Sequence, residues 1–383
     1  MTEIQGEIAR GFEPVRDAFA ENFAREQEIG AAVTVYQHGR PVVDLWAGQA
    51  DADTGRAWTS DTLQFVFSAT KGVTAICALV LAQRGALDLD APVADYWPEF
   101  AAEGKGRIPV RWLLTHQAGL PVLDERVPLA EALRWDPVVE ALAAQRPVWE
   151  PGTAHGYHAL TYGWLVGEVV RRITGRSLGS FLREEIAAPL DLDFWIGLPA
   201  AEHHRVSRAI SWEMEDLKAS VDAPEVMFDP TSLAMRTHHV TEPQFDHRDP
   251  RVWAAEMPSV NGLGTAHSLA RLYAALVSEV DGVRVLDERT VAEASTVHTS
   301  GVERIHGFDI RYGLGFLLPP ENGQPSPLVG PRSFGHPGYG GSLGFADPEH
   351  GLGFGFVANH LGAPQLVDPR SLRLARAVYA CLS

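Results

Sequence analysis

The stretch Phe65-Val66-Phe67-Ser68-Ala69-Thr70-Lys71, which runs directly into an apolar segment ending near Arg84, decides the fold of this chain. Almost every residue from Ala69 to Arg84 is apolar, and a helix that is apolar on all of its faces is normally a buried one. Ser68 stands at the start of this predicted helix, and Lys71 follows three residues later on the same face. The sequence therefore predicts a buried helix that holds a serine and a lysine side by side.

The pairing of Ser68 with Lys71 suits nucleophilic catalysis. A serine hydroxyl is a poor nucleophile until a base removes its proton, and burial lowers the pKa of a lysine so that its neutral amine can be that base. Lys71 is one of three lysines in the chain, and a buried charge without a role would be costly. A bare Ser-x-x-Lys more often reflects a helix-capping serine, so further motifs have to decide.

Two further motifs carry candidate site residues. In Glu150–Ala159, a Pro-Gly turn delivers Tyr157 just ahead of a helix predicted from Leu160 to Thr174, and a tyrosine beside a cation can share in proton transfer. In Gly335–Ser342, glycines allow the backbone to approach a ligand closely. The backbone N–H groups of Ser68 and Tyr339 could then form an oxyanion hole. Taken alone, these motifs fit a tyrosine packed at a helix start and a glycine-rich hairpin turn.

In their order and spacing, the three motifs resemble those of the serine β-lactamase and penicillin-binding-protein superfamily. Three supporting segments also match the family pattern: Leu113–Leu120, Asn261–Ala266 with Leu269-Ala270-Arg271, and Tyr312–Phe316. The resemblance spans about residues 30 to 360. It implies an α+β fold, in which an antiparallel sheet flanked by helices carries an inserted all-helical domain. It also implies a covalent acyl-serine intermediate, with no metal and no other cofactor.

Periodicity along the chain predicts the same layout. The predicted α/β domain comprises residues 1–80 and 250–383, and a mainly helical domain with long loops comprises residues 81–249. The predicted elements are helices over Ile4–Glu28, Ala69–Arg84, Leu160–Thr174, Ser268–Ser278 and Pro369–Cys381, strands over Ala32–Gln37, Val42–Ala47, Tyr312–Leu318, Gly341–Ala346 and Gly353–Asn359, and a long loop over Trp212–Arg251.

Two departures from the β-lactamase pattern indicate the kind of substrate. The second motif of class C β-lactamases is Tyr-x-Asn, and Ala159 stands here in place of the asparagine that holds the antibiotic's acylamido group. The third motif there is Lys-Thr-Gly, and here it is His336-Pro337-Gly338, whose neutral imidazole is a weaker anchor for an anion. The family VIII carboxylesterases show this pattern. The resemblance therefore implies an esterase for small acyl esters, with His336, Gly338 and Tyr339 in contact with the substrate.

Several other functions remain open beside ester hydrolysis. A β-lactamase or D-alanyl-D-alanine peptidase, an acyltransferase of the same superfamily, and a binding module with a dead site all share this framework. The sequence also leaves open whether Lys71 or Tyr157 accepts the proton, because the two groups titrate together. Gly340–Gly344 matches the Gly-x-Ser-x-Gly motif of α/β-hydrolases, but strand residues follow it where that motif requires a helix. We therefore interpret Ser342 as a decoy.

The remaining polar and aromatic candidates receive structural interpretations. His116 is expected to pack structurally, and the pairs His203-His204 and His238-His239 are interpreted as surface histidines rather than metal ligands. Four large side chains fit an acyl pocket or the core equally well: Trp212, Met227, Trp253 and Met257.

Charge and composition narrow the class of protein further. The 383 residues include 32 basic and 49 acidic side chains, giving a net charge of −17, whereas nucleic-acid binding needs clustered lysine and arginine. No apolar run approaches the roughly 20 residues of a membrane helix, and the N-terminus lacks the pattern of a secretory signal. Cys77 and Cys381 are interpreted as free thiols. We therefore expect a cytoplasmic protein that binds a small-molecule ester, without nucleic-acid or membrane partners and with its oligomeric state undetermined.

Overall fold

The computed structural model describes residues 2–26, 28–210, 229, 231–362 and 367–382. Its centre is a seven-stranded sheet, whose strands lie in the order β1 (Ile4–Ile8), β3 (Arg40–Asp51), β2 (Gly30–Gln37), β14 (Leu352–Ala358), β13 (Leu343–Asp347) and β12 (Phe334–Pro337), and β4 (Arg56–Ala57) pairs with β3. Every pairing in this sheet is antiparallel. Strands from the two ends of the chain thus lie side by side, with β2 next to β14.

The strands in chain order are β1 Ile4–Ile8, β2 Gly30–Gln37, β3 Arg40–Asp51, β4 Arg56–Ala57, β5 Gln64–Phe65, β6 Val127–Pro128, β7 Phe194–Trp195, β8 Thr241–Glu242, β9 Leu263–Gly264, β10 Thr299–Val302, β11 Asp309–Tyr312, β12 Phe334–Pro337, β13 Leu343–Asp347 and β14 Leu352–Ala358. The α-helices are α1 Glu13–Arg25, α2 Thr70–Gln83, α3 Val93–Tyr96, α4 Arg111–Leu114, α5 Leu129–Ala132, α6 Asp136–Ala144, α7 Thr161–Thr174, α8 Leu178–Leu182, α9 Leu233–Arg236, α10 Pro250–Ala254, α11 Ala266–Val277, α12 Glu288–Ala294 and α13 Pro369–Ala380. Tighter 3₁₀ turns occupy Phe67–Ala69, Pro98–Arg107, Ala200–Arg205 and Tyr339–Gly341, and a π-helical turn occupies Arg183–Ala187.

Glycines alternate with phenylalanines along the central strand β14, and this alternation decides which helix covers each face of the sheet. A side chain at Gly353 or Gly355 would place its Cβ 2.3 Å from backbone atoms of α11, so only glycine lets that helix lie so close. The intervening Phe354 and Phe356 are fully buried in the cluster on the other face. There they pack with residues of α1 and α13, including Phe19. The sheet is therefore buried on both faces.

The N-terminal prediction was partly wrong. Residues Ile4–Ile8 form β1, which pairs with β3, and the helix extends only from Glu13 to Arg25. Ile4 and Ile8 lie four residues apart, a spacing that satisfies a helix and an alternating strand equally. Pairing with the edge of β3 decides the outcome, and Pro14 then opens the helix in its first turn.

The predicted strand Tyr312–Leu318 was also wrong. The chain leaves β11 at Tyr312, turns at Gly313–Gly315 with a positive φ of 82° at Gly315, and returns so that Leu317 pairs with Tyr312. The alternating glycines at 313 and 315 therefore mark a reversal of chain direction and not a continuous strand. The strands predicted at Gly341–Ala346 and Gly353–Asn359 are confirmed within two residues, as are the helices at Ala69–Arg84 and Ser268–Ser278.

Most of the shorter helices lie between residues 93 and 254, the part of the chain predicted to be mainly helical. The division into domains at residues 81 and 249 stays a prediction. Of the predicted loop at Trp212–Arg251, residues 212–228 and 230 lie outside the described residues, and Trp212 and Met227 with them. Across the described part of the chain, no helix has the length and apolar character that a membrane crossing requires.

Candidate active site

Ser68 lies in a tight turn between β5 and α2. The turn Phe67–Ala69 leads directly into the helix, and Phe67 has a positive φ of 48°, which is rare for a bulky residue. Ser68 is partly exposed, whereas both of its neighbours are buried. Backbone strain of this kind is concentrated at functional sites. The turn presents the hydroxyl of Ser68 to a cavity while apolar packing holds the flanking residues.

Lys71 lies behind Ser68 and is completely buried. Its Nζ is 3.2 Å from Ser68 Oγ, 2.7 Å from the carbonyl oxygen of Ala159 and 3.0 Å from that of Ser259. No carboxylate compensates its charge within the described residues, and burial holds the pKa of Lys71 well below its ordinary value of 10.5. The environment therefore favours the neutral amine.

The three neighbours of Nζ suit that neutral amine. An unprotonated amine has two N–H bonds and one lone pair, and the two carbonyl oxygens can accept both N–H bonds. Its lone pair is then left for Ser68 Oγ at 3.2 Å, an arrangement in which the serine hydroxyl can donate to the amine. Ala159 and Ser259 thus orient the amine through their backbone carbonyl oxygens.

Tyr157 is the third polar group at Ser68. Its hydroxyl contacts Ser68, and Lys71 Nζ lies 4.7 Å from the centre of its ring. Burial raises the pKa of Tyr157 above its usual value of 10, so the phenol keeps its proton. Tyr157 therefore stands as a hydrogen-bond donor beside a hydroxyl that is bonded to an amine.

A buried carboxylate fixes the backbone of Tyr157. Glu303 Oε2 accepts the N–H of Tyr157 at 3.0 Å and the N–H of Ile305 at 2.9 Å, while Oε1 accepts the N–H of His306. Burial alone would raise the pKa of Glu303, but the contacts with His306 and these backbone N–H groups outweigh it and lower the pKa to about 2. The sequence analysis missed Glu303, because no local pattern links it to a tyrosine 146 residues earlier.

The end of β12 closes the site from the opposite side. Gly338 lies so close to the serine turn that a Cβ there would be 2.1 Å from the carbonyl oxygen of Val66. Its N–H donates to the carbonyl oxygen of Ser342 at 2.6 Å, and the ring of the next residue, Tyr339, packs 5.3 Å from that of Phe67. The structure therefore brings the backbone of Tyr339 alongside the serine turn.

His336 is buried in the wall of the same cavity. Its Nδ1–H donates to the carbonyl oxygen of Pro337 at 2.7 Å, which leaves Nε2 as the acceptor nitrogen. Within the described residues, Nε2 has no hydrogen-bond partner. Burial and the neighbouring Lys71 lower the pKa of His336 to about 3, so its ring is neutral.

One cavity of about 230 Å³ joins these groups. Of the predicted site residues, Ser68, Tyr157, His336, Gly338 and Tyr339 all line it, and Lys71 lies behind Ser68. Its far wall is apolar and comes largely from the β10–β11 hairpin and the residues after it: Phe308, Ile310, Leu317 and Pro327. The sequence analysis did not find this wall, because its residues carry no motif.

Four other residues that the sequence analysis considered lie outside the reacting group of side chains. Trp253 and Met257 pack against or within the core and do not form the lining of the cavity. His116 is buried among aromatic rings and accepts the N–H of His158, as a structural residue would. Ser342 is buried, and strand β13 follows it, so the helix that a nucleophile elbow requires is replaced by a strand.

The paired histidines lie at or near the surface, and one of them also reaches the site. His239 bonds to the carbonyl oxygen of Met235, and His204 is exposed, as expected of surface residues. His238 is exposed too, as predicted, but it also lines the active-site cavity and meets His306 there. The sequence analysis did not find this contact, because the fold brings the second histidine from 68 residues away.

Comparison with known proteins agrees with this geometry. The family described as Beta-lactamase matches residues 15–378. The esterase/beta-lactamase LipL of Mycobacterium tuberculosis is 36% identical over 363 residues, which cover 91% of this chain and 81% of that protein. A crystal structure of a family VIII carboxylesterase superposes with a TM-score of 0.88 at 40% identity, covering 99% of this chain and 100% of the other.

A second solved structure superposes about equally well. EstA from Arthrobacter nitroguajacolicus Rue61a superposes with a TM-score of 0.87 at 33% identity, covering 100% of this chain and 98% of that one. The matches span the sheet, the helices and the serine turn alike. This chain accordingly belongs to the β-lactamase family and is a serine hydrolase of that fold.

Proposed function

We propose that the protein is a carboxylesterase that hydrolyses short-chain acyl esters through a covalent acyl-Ser68 intermediate. The observation that carries this proposal is the contact of Ser68 Oγ with a buried, uncompensated Lys71 amine at 3.2 Å. The similarity to LipL and to a family VIII carboxylesterase supports an ester as the substrate.

In the acylation step, the proton of Ser68 moves to Lys71 Nζ as Oγ attacks the acyl carbonyl carbon. The tetrahedral intermediate collapses and the bond to the alcohol breaks. The departing oxygen takes the proton from Lys71 through the hydroxyl of Tyr157, which contacts Ser68. Water then repeats the sequence on the acyl-serine, and the acid leaves.

We assign the oxyanion hole to the backbone N–H groups of Ser68 and Tyr339. This assignment is supported by the close approach of the two segments, since a Cβ at Gly338 would lie 2.1 Å from the carbonyl oxygen of Val66, and by the presence of both Ser68 and Tyr339 in the lining of the cavity. Preorganised donors of this kind stabilise the negative charge that develops on the carbonyl oxygen.

The polar lining favours a neutral ester over a β-lactam or a peptide. In the resembling β-lactamases, a lysine cation and an asparagine hold the charged and amide groups of the antibiotic. Here the ring of His336 is neutral, and alanine stands at position 159, where the backbone carbonyl oxygen accepts a hydrogen bond from Lys71. The cavity of about 230 Å³ is below the roughly 300–1,000 Å³ of typical ligand pockets, which favours a small acyl group.

We also propose a reducing compartment such as the cytoplasm. Cys77 and Cys381 are both free thiols, and one of them is completely buried in the core. Structural disulfides are typical of oxidising compartments.

The test compares two serines with p-nitrophenyl acetate, butyrate and longer esters as substrates. Ser68→Ala should abolish hydrolysis, whereas Ser342→Ala should retain it, because Ser342 contributes its backbone carbonyl, which alanine keeps. Wild-type rates should fall as the acyl chain lengthens, and nitrocefin should turn over more slowly than the butyrate ester. Faster nitrocefin turnover would favour a β-lactamase, and an active Ser68→Ala variant would refute the proposal.

A further inference from the structure

Two histidines that the esterase mechanism does not use meet inside the active-site cavity. His238 follows α9 and His306 follows β10, and their Nε2 atoms lie 3.4 Å apart. Both side chains line the cavity that contains Ser68 and Tyr157. We propose that His238 and His306 together bind a zinc ion, and that the bound ion obstructs access to Ser68.

The separation of the two nitrogens suits a shared metal ion. Zinc–imidazole bonds are about 2.0–2.1 Å long in tetrahedral sites, so two such ligand atoms stand roughly 3.3 Å apart. The observed 3.4 Å meets this requirement on distance. In the absence of metal, the same pair forms an N–H···N contact. A zinc ion replaces the shared proton, with a tilt of the exposed His238 ring toward the ion.

The surroundings of His306 prepare it to be a ligand. Its Nδ1 lies 3.5 Å from Oε1 of the buried Glu303, and a carboxylate at this nitrogen holds the Nδ1–H tautomer. The lone pair is then on Nε2, which faces His238. A carboxylate that bonds the second nitrogen of a ligand histidine is a recurrent feature of zinc sites. Glu303 itself is held by backbone N–H groups, so His306 has a fixed orientation.

The position of the site predicts the consequence of binding. The ring of His306 lies 5.9 Å from that of Tyr157, so an ion bound at its Nε2 stands in the cavity near the reacting groups. Two protein ligands are fewer than the three or four of catalytic and structural zinc sites, so water would fill the remaining positions of the ion. This hydrated ion would fill part of a cavity of about 230 Å³. We therefore expect zinc to inhibit ester hydrolysis reversibly.

The test measures zinc binding directly and apart from turnover. Zinc chloride is titrated calorimetrically into the Ser68→Ala protein and into the same protein with His238→Ala or His306→Ala. Each histidine substitution should weaken binding by more than about tenfold, and Glu303→Gln by about tenfold. His239→Ala is the matched control, because its ring bonds to Met235 and should leave zinc affinity unchanged. In the Ser68-containing enzyme, inhibition by zinc should weaken in the same order.

Two outcomes would overturn the proposal. One is the absence of zinc binding to the Ser68→Ala protein at micromolar to millimolar concentrations. The other is an affinity that His238→Ala and His306→Ala leave unchanged, which would place the ion elsewhere. Because binding is measured in a protein without the nucleophile, this result is independent of whether the natural reaction is ester hydrolysis.

Discussion

At the scale of single residues, burial acts in opposite directions on the two groups that could accept the proton of Ser68. It lowers the pKa of Lys71 and raises that of Tyr157, because in each case it disfavours the charged form. The neutral amine is therefore the accessible base, and the neutral phenol is the accessible donor. The sequence alone left this choice open.

The pH dependence of the rate tests this assignment. Because the proposed mechanism needs unprotonated Lys71, kcat/KM should rise with pH and reach its plateau well below pH 10.5, the ordinary pKa of lysine. Lys71→Met should lower kcat by about 10²–10⁴-fold. Esterase assays across the pH range, with p-nitrophenyl butyrate and correction for spontaneous hydrolysis, measure both effects.

Lys105 supplies the matched control. It is also fully buried, and its Nζ donates to the carbonyl oxygens of Ala102, Ala143 and Gln145, far from any serine nucleophile. Lys105→Met should lower thermal stability and leave kcat and the pH profile of the folded enzyme in place. A Lys71→Met enzyme that kept its activity would contradict the assignment.

The pair Ser68 and Lys71 could be predicted because it is local, three residues apart on one helix. The carbonyl oxygens that orient Lys71 could not, since they come from 88 and 188 residues away and belong to the backbone. A sequence pattern shows side-chain chemistry, whereas these contacts depend on where distant turns pass.

At the scale of elements, the site depends on how closely β12 approaches the serine turn. Gly338→Ala would bring a Cβ to 2.1 Å from the carbonyl oxygen of Val66, so the two segments would have to separate. The backbone N–H of Tyr339 would then move away from Ser68. We expect kcat to fall by about 10²–10³-fold, the effect of losing one oxyanion donor, with a smaller change in KM.

Gly106 provides the control for Gly338→Ala, because it has space for a side chain. At Gly106 a Cβ would lie 3.6 Å from its nearest neighbour, Ala101, with no unusual φ. Gly106→Ala should therefore leave kcat unchanged. Steady-state kinetics on both variants, with circular dichroism to verify folding, decide the matter, and full activity in Gly338→Ala would be incompatible with the proposed oxyanion hole.

Elements with one clear period were predicted well. The helices at Ala69–Arg84 and Leu160–Thr174 differ from the observed α2 and α7 by a residue at their ends. The segment Ile4–Ile8 was mispredicted because its spacing fits both a helix and a strand, and only pairing with β3 selects the strand. Where the spacing of apolar residues fits both a helix and a strand, tertiary contacts decide between them, and a local sequence pattern does not contain those contacts.

At the scale of the whole molecule, one buried arginine links both chain ends to the site. Arg370, in the first turn of α13, donates to the carbonyl oxygen of Gly340 at 2.7 Å, next to Tyr339. It also pairs with Glu28, just before β2, at 2.8 Å and with Asp368 at 2.8 Å. Both chain ends thus brace the turn that carries the proposed oxyanion donor.

Arg370→Met should affect stability and catalysis together. It leaves the buried Glu28 and the partly buried Asp368 without their cation, which we expect to cost about 3–5 kcal/mol of unfolding free energy. It also releases Gly340, so kcat of the folded fraction should fall. Urea unfolding and kinetics at low temperature measure the two effects separately.

Arg373 on the same helix is the comparison. It pairs with Glu26 and Asn22 at a partly exposed site without contact to the turn. Arg373→Met should cost less stability than Arg370→Met, because its carboxylate partner Glu26 is partly exposed, and should leave kcat unchanged. Equal kcat in both folded variants would show that Arg370 serves stability alone.

The most direct measurement of the central claim is the site of acylation. The enzyme is mixed with p-nitrophenyl butyrate, quenched in acid within the first turnovers, digested, and mapped by mass spectrometry. A butyryl group on the peptide that contains Ser68, absent from Ser68→Ala and present in Ser342→Ala, is the predicted result. A butyryl group on Ser342, or rapid turnover without any acylated Ser68, would contradict the account.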